Sequence, residues 1–216
     1  MNTDTTTSRP LRADAERNRR RILAAAREVF ARRGLDAGLD EIAKHAGVGT
    51  GTVYRRFPDK KALVEALFTE RLADLTATAH RAAGHPDPWA GLVELLESAV
   101  AMQIEDRGLK DLLFAYGDKG AFREQLAVLQ EVLREVCARA VAAGDLRPDV
   151  DLTDLATVQL MTTQVAAFAE PESPGLWRRY LGLMLDGLCT RRESPTPLPH
   201  PPLDTLTFER LCHPPR

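Results

Sequence analysis

Read from its first residue, the chain alternates between polar breaks and segments whose apolar positions recur every three or four residues. Ile22, Leu23, Ala26, Val29 and Phe30 share one face, which predicts a helix from about Ala13–Asp14 to Arg33, closed by Gly34. Leu39, Ile42, Ala43 and Ala46 repeat the pattern over a short second helix, opened by Asp36 or Gly38 and closed by Gly47. Over residues 50–57, Val53 and Phe57 lie one turn apart and point inward, with Val48 plugging the core beneath the preceding turn. Pro58 interrupts the chain and Asp59 can cap the next helix. Leu63, Val64, Leu67, Phe68, Leu72 and Leu75 then keep a helical period from Lys60 to about Ala82.

The run from Gly84 to Pro88 breaks that helix. Further helices are expected near 88–106, 109–116, 121–143, 152–170 and 175–190, with turns at 144–148 and between Pro171 and Pro174. No apolar run alternates with period two over the length of a strand. The fold class is therefore all-α. Four stretches are expected: a flexible arm over 1–13, a three-helix head over 14–59, a larger helical body over 60–190 joined through the 60–82 helix, and a tail over 191–216. Seven prolines from Ser194 onward exclude an ordinary helix through most of that tail, leaving 203–211 for one short docked turn.

Charge sharpens the division. Residues 1–61 hold 14 Lys/Arg against 8 Asp/Glu, whereas the whole chain is at −2. A basic head on an acidic body attracts a polyanion at one end. The apolar share, 44% of 216 residues, suffices for a real core. There is no apolar run long enough for a membrane helix and no leader-like apolar stretch near Met1, so a cytoplasmic protein without a membrane partner is expected. Cys137, Cys189 and Cys212 have no metal-ligand spacing, and Cys137 and Cys189 sit in apolar helical patterns that suit burial. Neither a metal nor another cofactor is implied.

The segment LDEIAKHAGVGTGTVYRRF, residues 39–57, carries the most specific chemistry. It reads as a helix–turn–helix. Ala43 allows close approach of two helices, Gly47 serves the turn, and Val48 with Val53 anchors the second helix. Outward lie Thr50, Thr52, Tyr54, Arg55 and Arg56. Gly51 has no side chain to hold a duplex away, and the helix N-terminus offers free N–H groups to a phosphate. Threonine hydroxyls and methyls suit base edges or phosphate, the Tyr54 hydroxyl suits phosphate, and Arg55 and Arg56 suit either phosphate or guanine. Lys60 and Lys61 begin the next helix on the side of the nucleic-acid backbone. Arg17, Arg19, Arg20 and Arg21 reach toward a neighbouring phosphate or the minor groove. His45 reads as a surface helix residue.

Residues 17–67 resemble the DNA-binding domain of the TetR family of transcriptional regulators. The resemblance rests on RILAAAREVFARRGLDAGLDEIAKHAGVG and TGTVYRRFPDKKALVEAL, and above all on Ile42-Ala43, Ala46-Gly47-Val48, Gly51-Thr52-Val53-Tyr54, Phe57 and Lys60. It implies that Thr50, Thr52 and Arg56 face the groove and that Tyr54 and Lys60 clamp phosphates. Gly49 and Gly38 stand where the family often has a Ser or Thr cap, and GLDAGLDEIA is similar to a subgroup with a shortened loop. A regulator of this kind, a ligand-responsive repressor acting as a homodimer on a palindromic double-stranded operator, is the function implied.

For the body, the helix near 152–170 is apolar nearly all round, as expected where a core meets a subunit interface. The resemblance implies that it and the last helix pair with their dimer mates as a four-helix bundle, through Val158, Val165, Phe168, Trp177, Tyr180, Leu181, Met184 and Leu185. It also implies a pocket for an unknown small-molecule effector. Met102, Phe114, Tyr116, Gln159, Met161, Thr163 and Gln164 are the candidates to line it, with ordinary core packing as the alternative for each. Two other functions compete. One is a DNA binder with a filled core and no effector. The other is a nucleotide-using enzyme, suggested by Gly47-Val-Gly49-Thr-Gly51; that reading needs a preceding strand and a third glycine in register, and the pattern supplies neither.

Overall fold

A computed structural model describes residues 8–105, 122–169 and 172–190. Among the described residues there are eight α-helices and no strand. They are α1 (Ser8–Arg33), α2 (Leu39–Ala46), α3 (Thr50–Arg56), α4 (Lys60–Ala83), α5 (Pro88–Glu105), α6 (Arg123–Ala142), α7 (Leu152–Ala169) and α8 (Trp177–Leu188). The helix expected over 109–116 and the tail over 191–216 lie outside the described residues, as do residues 1–7. The chain divides into two compact units. The first holds residues 8–72 and 122–124, and the second the described residues from 73–105 and 125–190.

α1 starts at Ser8, earlier than the Ala13–Asp14 expected from periodicity and inside the stretch expected to be an arm. Pro10 falls in its first turn, where the missing N–H is one of the donors that have no helical partner in any case. Periodicity marks only where a helix begins to bury a face. The buried apolar stripe starts at Ile22, about four turns past the first helical residue.

The core of the first unit is one cluster. Ile22, Leu23, Ala26, Val29 and Phe30 of α1 meet Leu39, Ile42, Ala43 and Ala46 of α2, Val53 of α3, and Leu63, Val64 and Leu67 of α4. Phe57 is buried just past the end of α3. The corner between α2 and α3 is built on Gly47, at φ 62° and ψ 38°. The Val48 N–H donates to the carbonyl of Ala43 at 3.1 Å and the Gly47 N–H to that of Lys44 at 3.2 Å, the paired bonds of a Schellman turn. Val48 then packs against the cluster as the apolar residue after such a turn. Asp59 caps α4 through its side chain, accepting from the Ala62 N–H at 2.7 Å.

In the second unit α5, α7 and α8 pack on one another. α5 is capped by Asp87, whose carboxylate accepts from the Ala90 N–H at 3.0 Å. α7 opens on a reciprocal pair. Asp151 accepts from the Thr153 N–H at 3.0 Å, while Asp154 accepts from the Asp151 N–H at 2.8 Å. The C-terminal end of α4 is satisfied from α6. The Arg139 guanidinium donates to the carbonyls of Ala83 and, at 2.8 Å, His85.

Replacing Gly47 should be costly, because a Cβ there is strained at positive φ and would stand 3.0 Å from Nη2 of Arg21. Gly47→Ala is expected to lower stability by about 1–2 kcal/mol in urea denaturation. Gly38→Ser, at φ −99° with nothing within 4 Å of an added Cβ, should instead gain a few tenths of a kcal/mol by supplying the missing cap oxygen of α2.

Candidate nucleic-acid interface

α3 is only seven residues long and has glycine both at its cap and at its second position. Such a sequence is a poor helix by itself. Its inner side supplies the order: Val53 is completely buried and Phe57 nearly so. The outer side is then determined. Thr50, Gly51, Tyr54, Arg55 and Arg56 are exposed and Thr52 half-exposed, with 45% of Tyr54 accessible. An added Cβ at Gly51 would meet nothing within 4 Å, so the face is open at that point. Lys61 is exposed beside Glu65 at 3.8 Å, and Lys60 is half-buried with its ammonium 5.6 Å from the Phe30 ring centre.

The four arginines grouped in α1 by sequence separate into different tasks. Arg17 and Arg20 are the outward pair, paired within their own helix to Asp14 and Glu16. Arg19 turns to α4, donating to Glu70 at 2.7 Å, and Arg27 donates to the other oxygen of the same carboxylate at 2.9 Å. Arg21 is a correction to the expected role. Its Nη2 donates to the carbonyl of Ala46 at 2.8 Å and that of Gly47 at 3.3 Å, closing the end of α2. It is a clamp on the turn, because the last carbonyls of a helix attract a cation. Nothing in the local sequence marks this; the contact joins residues 25 positions apart. His45 also joins two helices, its Nε2 lying 2.6 Å from Glu28 Oε2 of α1.

The glycines of the GVGTG run are spent on a helix end, a cap and an exposed first turn. They come after α2, not after a strand. No group of three or more His, Cys, Asp or Glu suited to a metal occurs among the described residues, and no helix there is long and apolar enough to cross a membrane.

The second unit contains an apolar cleft of about 70 Å³. Leucines and alanines of α4, α5, α6 and α7 line it, with Cys137 and Gln159 as its polar members. Of the residues nominated from sequence, Gln159 lies in the lining. Met161 is 44% exposed and Gln164 exposed, so both point away from this cleft. Thr163 bonds Gln103 of α5 at 2.9 Å, and Met102 is not part of the lining. Phe114 and Tyr116 lie outside the described residues. Burial, reinforced by the charge of Asp151, pushes the Cys137 thiol up from its ordinary 9.0 to about 11.

The helices nominated for dimerisation also divide. Val158, Trp177, Leu181 and Leu185 are buried inside the protomer, which corrects their assignment to its outer face. Val165, Phe168, Tyr180 and Met184 are half-buried. The large apolar groups left outside on α7 and α8 are Leu160, Met161 and Leu183, each between 44% and 47% exposed. Because α7 is apolar nearly all round, its inner and outer faces could not be told apart by pattern.

Comparison with known proteins decides the family. Residues 22–67 match the model of the bacterial regulatory proteins, tetR family, and residues 87–190 that of the SbtR-like transcriptional regulator C-terminal domain. The HTH-type transcriptional regulator SrpR of Pseudomonas putida is 30% identical over 152 residues, covering 67% of this chain and 71% of SrpR. The chain belongs to the TetR family. Two TetR regulators of known structure are similar over most of this chain. SCO0520 of Streptomyces coelicolor is 32% identical at a TM-score of 0.64, over 79% of this chain and 98% of that one. A TetR protein of Mycobacterium vanbaalenii is 36% identical at a TM-score of 0.63, over 84% and 100%. This TetR-family member is thus a DNA-binding transcriptional regulator with an N-terminal helix–turn–helix and a helical C-terminal domain, and α2–α3 is its helix–turn–helix.

Arg21→Ala should destabilise the chain by about 1 kcal/mol, discounted for the exposure of the side chain, whereas Arg20→Ala should stay within about 0.5 kcal/mol; paired urea titrations separate them. Because the folded chain disfavours the Cys137 thiolate, unfolded chains release that proton first as pH rises past about 9, and the stability tied to the neutral thiol is lost between there and about 11. Iodoacetamide labelling of Cys137 should accordingly be slower than that of an unburied thiol at pH 9 and keep rising with pH to about 11, where an unburied thiol has already levelled off.

Proposed function

We propose that the protein is a homodimeric, ligand-responsive repressor that binds a palindromic operator through two copies of α3. The observation that carries this is the outer face of α3, where hydroxyls, a phenol and two guanidinium groups stand over an entirely apolar underside. In the complex, Thr50, Thr52 and Arg56 face base edges and Gly51 lets the helix approach closely. Tyr54 and Lys60 hold phosphates, with Arg55 and Lys61 adding charge toward the backbone. Homodimerisation through the outer faces of α7 and α8 is supported by Leu160, Met161 and Leu183, which are costly to leave in water. A two-fold dimer presents two reading helices to two half-sites.

The cleft in the second unit favours a ligand-responsive protein over one with a filled core. α4 runs covalently from one unit into the other, with residues 60–72 in the first and Leu75 in the wall of the cleft. An effector that binds better to one arrangement of the dimer shifts the population away from the DNA-bound one.

Gel shift against the DNA upstream of its own gene, and genome-wide footprinting if that fails, tests the reading. Binding should weaken steeply with salt; no salt-sensitive binding to any footprinted site would overturn it. Tyr54→Phe should weaken binding while leaving sequence preference unchanged. Gly51→Ala should raise stability by about 0.5–1 kcal/mol and yet weaken DNA binding, since the new methyl helps the helix and obstructs the duplex. Leu160→Glu with Leu183→Glu should give a folded monomer by light scattering, with stability within about 0.5 kcal/mol per site once dissociation is accounted for.

A further inference from the structure

We infer that the effector is a small uncharged molecule, mostly hydrocarbon, with a single hydrogen-bonding group that the Gln159 side chain receives. This rests on reading the second unit as the effector domain and names the chemistry of its cleft. The volume, about 70 Å³, is about five times what one water needs, which leaves room for a short alkyl chain or a small ring. Leu75, Leu92, Leu96 and Leu155 are typical of the wall, and among the described residues no charged side chain is part of it. A carboxylate or ammonium entering such a site loses its hydration and meets no counter-charge.

Gln159 is the exception in this wall. Its side-chain amide makes no hydrogen bond among the described residues, so a donor and an acceptor stand ready on an otherwise apolar surface. Cys137 reports independently on the environment. A thiol in the same wall resists ionisation through burial and through the nearby Asp151 carboxylate, so the cleft disfavours anions in particular. The same condition argues against Cys137 as an oxidation sensor, because reactive thiols need a lowered pKa.

The test uses full-length protein carrying Cys189→Ala and Cys212→Ala, so that Cys137 is the remaining thiol. Its modification by methyl methanethiosulfonate, a small neutral reagent, is followed by intact mass in the presence of 1-hexanol or of hexanoate. Near its solubility limit, 1-hexanol should slow labelling by about tenfold, and hexanoate at the same concentration by less than about twofold. Gln159→Leu should weaken protection by 1-hexanol by about fivefold, the worth of one neutral hydrogen bond. Equal or better protection by hexanoate, no protection by either, or an unchanged alcohol affinity in Gln159→Leu would each overturn the inference. Gel shift with the same protein keeps the two failures apart. A protein that binds no DNA sinks the regulator reading, whereas one that binds its operator and prefers hexanoate sinks only the chemistry assigned to the cleft.

Discussion

At Gly47 the chain leaves α2 in a left-handed conformation and enters α3 two residues later, and the angle of that corner decides which side of α3 faces outward. Three forces converge on it. The paired N–H bonds of Val48 and Gly47 close the end of α2, Val48 packs against the core, and the Arg21 guanidinium gathers the carbonyls of Ala46 and Gly47 from across the unit. None of these is large, on the order of 1 kcal/mol each. Together they make one corner geometry preferred; burying Tyr54 in place of Val53 would take a rotation of α3 by about 100° about its own axis. α2, α3 and the start of α4 thereby share one core with α1.

The same economy appears where α1 meets α4. Glu70 is shared by Arg19 and Arg27, one guanidinium on each carboxylate oxygen, so that one acid orients two bases on the neighbouring helix. Among the described residues the Nε of Arg27 is buried without a partner, which is a cost the arrangement carries. In the second unit Arg139 plays the corresponding part for the far end of α4, satisfying carbonyls that would otherwise lie unpaired against α6. Arginine is used at these three junctions because its planar fork reaches more than one acceptor at once.

How much of the molecule is legible in its sequence depends on range. The helices, the inward Val53 and Phe57, and the Asp59 cap depend on neighbours within one or two turns, and those signals are written locally. The early start of α1 escapes periodicity because a helix can run past the end of its own apolar stripe. Arg21 reads as a nucleic-acid contact because a basic run on a helix carries no mark of which member folds back. Trp177, Leu181 and Leu185 read as an outer face because apolarity alone does not distinguish a protomer core from an interface, and Met161 reads as a pocket residue for the same reason. Leu160 and Leu183 carry no signal beyond their position; only packing leaves them outside.

The short, glycine-containing α3 has one further consequence. Its order is borrowed entirely from Val53 and Phe57 beneath it, and the side chains above contribute almost nothing to folding. On the proposed reading, recognition and stability are therefore written on opposite sides of one short segment. Substitutions at positions 50, 52, 55 and 56 would then be nearly free to accumulate without unfolding the protein, so lineages descended from this chain could exchange one operator for another while inheriting the scaffold intact.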